Sequence, residues 1–286
     1  MALPIFGFVT VHERPLPDGV ASEAQWVAGA AARGSALAHL WEGVPGLVVP
    51  RSYERLPRFA AARERWAESD LPVQVRASGG GLVPQGPGLL NLTLVWPADP
   101  GAALDIDGIY RALCAELVAA LARLGITASP QAVEGSFCDG RYNLAVDGRK
   151  LVGTAQSWRR IAGRQVVLAH AVIVVDADPQ TLTGDADAFE RAIDSGRHYR
   201  AQALTSVARE WCAAHAAEAA PTDLAARCRQ VLAERFARML TPKTHAARFL
   251  YKDSPMVLLE FSIAPVSCFR PPRAVATRQA QHPRTS

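Results

Sequence analysis

The sequence predicts an α+β fold, and two patterns carry the prediction. Apolar runs of strand length, bounded by turn residues, crowd the middle of the chain, while helix-period runs collect after about residue 185. Strands and helices therefore lack the regular alternation of a doubly wound parallel sheet, which favours α+β over α/β. With 286 residues, 49% of them hydrophobic, the chain can bury a sizeable core. It reads as a single domain over 1–269, with a helical part at about 185–240, and an Arg/Pro-rich tail over 270–286 of disordered composition.

Ser22 is placed to cap a helix over 23–33, and ALAHLW (36–41) and GLVVP (46–50) read as short strands. Residues 56–69 are helical in composition. LPVQV (71–75) is a strand entering the stretch RASGGGLVPQGPG, and LLNLTLVW (89–96) is the strand leaving it. Over 105–124, Ile106, Ile109, Tyr110, Leu113, Leu117, Leu121 and Leu124 recur at three- and four-residue spacing, with Gly125 to end the helix. YNLAV (142–146), LVGTAQSW (151–158) and VVLAHAVIVVD (166–176) predict a meander, its first turn marked by Asp147-Gly148. Helices are expected over 185–195, 204–219 and 224–240, and ARFLYKDSPMVLLEFSIAP reads as two strands around a Lys-Asp-Ser-Pro turn.

Charge and cysteines narrow the function classes. Arg270, Arg273, Arg278 and Arg284 account for the whole formal charge of +4, because the rest of the chain holds 27 basic and 27 acidic residues. No basic stripe marks the body, which argues against a nucleic-acid partner. No apolar run reaches the ~18 residues of a membrane span, and MALPIFGFVTVHERPLP has no basic n-region, so no signal peptide is read. Five cysteines without a CxxC pair fit reduced thiols in a cytoplasmic protein, with no metal site.

Two segments carry candidate chemistry. Gly79, Gly80 and Gly81 form either a mobile turn or a backbone able to approach a ligand closely, and Arg76 brings a positive charge beside them. They match neither a dinucleotide-binding nor a Walker pattern. In GSFCDGRYNLAVDGRKLVGTAQSW (135–158), Lys150 follows a tight turn, where a lysine either sits in solvent or polarises an acyl or phosphate oxygen. Cys138 lies in a polar, glycine-flanked loop, unlike helical Cys114, Cys212 and Cys228, and is either structural or a nucleophile. His170, within LAHAVIVV, is either a core histidine or faces a pocket.

Together SGGGLVPQGPGLLNLTL, DGRKLVGTAQ and HAVIVVDAD resemble, in order, the glycine-rich segment, lysine segment and following strand of the lipoate–protein ligase and octanoyltransferase family. Its catalytic domain is related to that of biotin–protein ligases. The resemblance runs from about residue 36 to at least residue 195, and it implies a mixed, largely antiparallel sheet flanked by helices around a small-molecule pocket. It further implies transfer of an octanoyl or lipoyl group to a lysine of a lipoyl carrier domain, such as glycine cleavage H protein or a 2-oxoacid dehydrogenase acyltransferase subunit. By the same resemblance, Arg76, Gly79, Gly80, Gly81, Asn91, Gly153, Thr154, Ala155 and His170 bind the acyl group or acyl-adenylate, and Lys150 holds its carbonyl or phosphate.

GSFC-DG-RYNL is similar to the loop of a cysteine-dependent branch, in which Cys138 would carry the acyl group as a thioester and no cofactor is needed. That branch usually has Cys-Pro-Gly where this chain has Cys138-Asp139-Gly140, and many ligases have a histidine and an acid where Gln85 and Gly86 stand. The alternatives are an ATP- and Mg²⁺-dependent ligase, with Lys150 on an acyl-adenylate, and a non-catalytic module that binds lipoyl domains. The Lys-Trp-Pro-Asn segment of biotin ligases is absent. Residues 200–265 carry no motif.

Overall fold

A computed structural model describes residues 3–6, 9–99, 101, 105–237 and 249–251. The tail at 270–286, Cys268, the Lys-Asp-Ser-Pro turn with its second strand, and the end of the helix expected to reach 240 lie outside the described residues.

The elements run β1 (Val9–Val11), α1 (Gly19–Arg33), β2 (Leu37–Glu42), β3 (Gly46–Pro50), α2 (Phe59–Ala67), β4 (Val73–Arg76), β5 (Val83–Gln85), β6 (Leu89–Pro97) and α3 (Ile106–Ala122). They continue with β7 (Ser129–Gln131), β8 (Asn143–Val146), β9 (Arg149–Ile161), β10 (Arg164–Val174), α4 (Pro179–Ala192), α5 (Val207–His215), α6 (Leu224–Ala237) and β11 (Phe249–Tyr251). A large sheet has the order β11-β1-β2-β6-β10-β9-β8-β7, and a small one the order β4-β3-β5. The β11-β1-β2 pairings and β3-β4 are parallel, and all other pairings are antiparallel. The α+β class and the mixed, largely antiparallel sheet are as expected.

Local chemistry explains where element boundaries moved. Helix α1 begins before Ser22, because Asp18 takes the cap position and its Oδ1 accepts from the Ala21 N–H at 2.8 Å. Helix α4 likewise starts early, at Pro179, behind the Asp178 cap. Residues 204–206 are extended rather than helical, and Ser206 caps a shorter α5. Asp147 and Gly148 both take positive φ (47° and 72°), as the predicted hairpin turn requires. Strands β1, β5 and β7 have three residues each, too few for a periodic signal.

The meander builds the site because its two faces are covered differently. On β10, Val167, Ala169, Ala171 and Ile173 enter the main core beneath α3 and α6. The alternate residues Leu168, His170, Val172 and Val174 face a cavity between the large sheet and the small one. Register carries that face across to β9, with Gly153 opposite Val172 and Ala155 opposite His170. A second apolar cluster, containing Tyr53, Phe59, Leu82, Phe137 and Phe189, closes the far side of the small sheet.

Candidate active site

The cavity opens to solvent at one side. Its walls are largely aliphatic, among them Leu16, Val44, Leu47, Val83 and Val174, and its polar atoms come from few side chains. Seven of the eleven residues singled out in the sequence analysis line it or its mouth: Arg76, Cys138, Lys150, Gly153, Thr154, Ala155 and His170. The glycine loop reaches the lining only through Ser78, and Gly79, Gly80, Gly81 and Asn91 lie outside it.

Cys138 occupies a strained position, with φ of 47°. Three donors hold its carbonyl: Gly140 N at 2.8 Å, Asn143 Nδ2 at 2.9 Å and Lys150 Nζ at 3.1 Å. Its thiol lies against the glycine loop, where a β-carbon on Gly80 (φ +106°) would come within 2.6 Å of Sγ. A β-carbon on Gly81 would make only ordinary contact with the cysteine backbone, 3.6 Å from Cys138 N, and one on Gly79 would meet nothing within 4 Å. The triplet thus has one position, Gly80, that the thiol itself requires to be glycine.

Lys150 is 6% exposed, and its ammonium donates to Phe137 O as well as Cys138 O. Burial pulls its pKa down to about 8, against the opposing effect of Cys138 and Asp139. Gly153 makes room for it, since a β-carbon there would lie 3.1 Å from Lys150 Cε and Nζ. Thr154 bonds the Tyr142 carbonyl at 2.7 Å, tying β9 to the cysteine loop. Arg76 reaches Val48 O at 3.0 Å with Nη1, and Gly79 O at 3.0 Å and Gly81 O at 2.7 Å with Nη2, so its fork holds the glycine loop in shape.

Also in the lining, Glu23 on α1 meets His170 at 2.6 Å and accepts from Thr93 Oγ1 at 2.9 Å. Thr93 in turn accepts from Trp41 Nε1 at 2.9 Å. Burial raises the Glu23 pKa, but the charge and hydrogen bond of His170 and the Thr93 bond outweigh it and leave the carboxyl below its usual range. Asn91 is fully buried and exchanges two hydrogen bonds with Gln85, which does line the cavity. Residues 200–205, without a motif of their own, clasp the site: Arg200 N donates to Gly135 O at 2.8 Å and Thr205 N to Lys150 O at 2.9 Å.

Glu23, Trp41, Thr93 and Asn143 escaped sequence reasoning. Glu23 opens the helix expected over 23–33, and no local spacing links it to His170; Asn143, five residues beyond Cys138 at the head of a strand, was the one with a readable cue.

Residues 29–220 match the family described as the lipoyl protein ligase A/B catalytic domain. The chain belongs to that family. This lipoyl ligase-type chain is an enzyme, an acyltransferase or a ligase. It is 48% identical over 189 residues to an uncharacterised protein of Cupriavidus necator, a match covering 62% of this chain and 75% of the relative. It is 35% identical over 208 residues to the octanoyl-[GcvH]:protein N-octanoyltransferase of Kyrpidia tusciae, covering 70% and 71%. The fold is shared with a crystal structure of lipoate-protein ligase A bound with ATP, at a TM-score of 0.57 and 16% identity over 87% of this chain and 89% of that one.

Proposed function

We propose that this chain moves an octanoyl group from the H protein of glycine cleavage to the acceptor lysine of another lipoyl carrier domain, through a thioester on Cys138. The observation that carries the reading is the placement of Cys138 at the cavity, its Sγ against Gly80 and its carbonyl on Lys150 Nζ. Among the described residues it is the only cysteine lining the cavity. Burial pushes Cys114 up to about 11 and Cys228 up to about 12, which makes both poor thiolates. The similarity to the Kyrpidia tusciae octanoyltransferase supports the donor and the acyl group.

In the first step the Cys138 thiolate attacks the carbonyl carbon of the octanoyl-lysine amide. The tetrahedral oxyanion collapses with cleavage of the C–N bond, and the leaving lysine nitrogen takes up the proton that the Cys138 thiol gave up on becoming the thiolate. In the second step the amine of the acceptor lysine attacks the thioester and loses a proton, and Cys138 leaves as thiolate. One amide is exchanged for another of the same kind, so the sum needs no ATP. The Lys150 ammonium, held beside Cys138, favours the oxyanion, and the apolar walls suit an eight-carbon chain. Arg76, Gly79, Gly80 and Gly81 shape the thiol side of the pocket. Gly153, Thr154, Ala155 and His170 line the cavity from β9 and β10, and Asn91 acts through Gln85.

A second reading, ATP-dependent ligation of free octanoate or lipoate with Lys150 on the acyl-adenylate, is favoured by the fold shared with an ATP-bound ligase. Intact-mass measurement separates the two. With octanoylated H protein and no ATP, the wild type should gain one octanoyl group, and Cys138→Ala should gain none and transfer none. Turnover by Cys138→Ala at the wild-type rate, or transfer that requires ATP, would overturn the thioester route.

A further inference from the structure

Both walls around Cys138 Sγ hang from one buried carboxylate that stands outside the lining of the cavity. Glu190 on α4 is fully buried, and its Oε1 accepts two phenolic hydroxyls, Tyr53 at 2.7 Å and Tyr199 at 2.7 Å. Its other oxygen, Oε2, is buried with no hydrogen-bond partner, a state that persists only where the surroundings determine it strongly. Burial and Glu190 raise the pKa of Tyr53 to about 12 and also raise that of Tyr199, which keeps both as hydroxyl donors.

Each tyrosine then leads to a different wall. The Tyr53 hydroxyl also accepts from the N–H of Leu82, the residue that follows the glycine triplet, at 3.3 Å. The Tyr199 ring packs on Phe137 with centroids 4.7 Å apart, and Phe137 immediately precedes Cys138 and offers its carbonyl to Lys150. Arg197 completes the bracket, its guanidinium 5.6 Å from the Tyr53 ring centre and its Nη1 3.1 Å from where a β-carbon on Gly81 would sit.

We infer that Tyr53, Glu190 and Tyr199 form a brace of positioning residues that sets the glycine loop against the Phe137-Cys138 segment and so aims the thiol at the acyl carbonyl. None of the three touches the reacting atoms. The catalytic half of the inference rests on the reading of Cys138 as nucleophile, whereas the mechanical half does not.

Tyr199→Phe is the deciding variant, because it removes one hydroxyl on the cysteine side and touches neither Leu82 nor the glycines. Amide hydrogen exchange at Leu82 and steady-state octanoyl transfer are measured on the full chain, with a thermal melt to confirm folding. The brace predicts that Leu82 exchanges about tenfold faster, and that kcat falls about tenfold while KM for each carrier stays within about twofold. Glu190→Gln, which keeps an acceptor oxygen, should retain more kcat than Glu190→Ala. Wild-type exchange at Leu82 in Tyr199→Phe would overturn the brace. Faster exchange with unchanged kcat would overturn its positioning role. If the wild type itself transfers no octanoyl group, the functional reading fails, and exchange at Leu82 still decides the mechanical link.

Discussion

A β-carbon on Gly80 would stand 2.6 Å from the sulfur of Cys138, closer than nonbonded atoms approach, while one on Gly79 would touch nothing. Gly80 also has φ of +106°, which an L side chain rarely adopts. Gly80→Ala should therefore push the thiol away and lower kcat for acyl transfer about 100-fold. Gly79→Ala should stay within about twofold of wild type. Steady-state kinetics of the two variants checks the contrast, and equal losses would mean that the triplet acts as a flexible unit.

Lys150 yields a pH signature in stability. Burial holds its pKa at about 8 in the folded chain, against an ordinary value of 10.5. Below about 8 both folded and unfolded chains carry the charge; between the two values only the unfolded chain does, so stability rises with pH there. Relative to Lys150→Met, the wild type should gain on the order of 3 kcal/mol between pH 8 and 10.5. Urea unfolding of both proteins across that range checks it, and a constant difference would show that the amine titrates normally.

These two residues also show what was legible in the chain before its structure. The meander, the Asp147-Gly148 turn and the amphipathic α3 were readable because each is a local pattern of period or turn chemistry. Candidate residues from separate segments, Arg76, Cys138, Lys150 and His170, do converge on one cavity. The face of His170 was not legible, since β10 is covered on both sides and its neighbours are apolar in either direction. Nor was the partner of Gly80, because contact between a glycine loop and a cysteine loop depends on packing of the small sheet against the large one. Glu190 illustrates the same limit: its partners Tyr53 and Tyr199 come from segments with no shared periodicity.

Glu23 and His170 form a mostly buried pair, with side chains 18% and 15% exposed. The carboxyl is held below its ordinary value of 4.5 despite burial, chiefly by His170. Its contribution to stability is thus fully present above about 4.5 and is lost as pH falls through the lower folded value. Glu23→Gln should be destabilised by about 2 kcal/mol at pH 7, with the gap to wild type closing as the solution is acidified below pH 4.5. Denaturant titrations at neutral and acid pH check this, and a gap that does not shrink would assign the loss to packing instead.

Arg76 separates charge from geometry. Its fork spans the carbonyls of Val48, Gly79 and Gly81, an arrangement that a single ammonium cannot reproduce. Arg76→Lys keeps the positive charge near Cys138 but releases the loop, so kcat should fall about tenfold or more while carrier KM changes little. If Arg76 acts by holding Gly80 against the thiol, the effects of Arg76→Lys and Gly80→Ala share one cause. The double variant should then be little worse than Gly80→Ala alone, a coupling of at least about 1 kcal/mol in the double-mutant cycle. Multiplying losses would instead place Arg76 directly on the acyl group, acting through its charge.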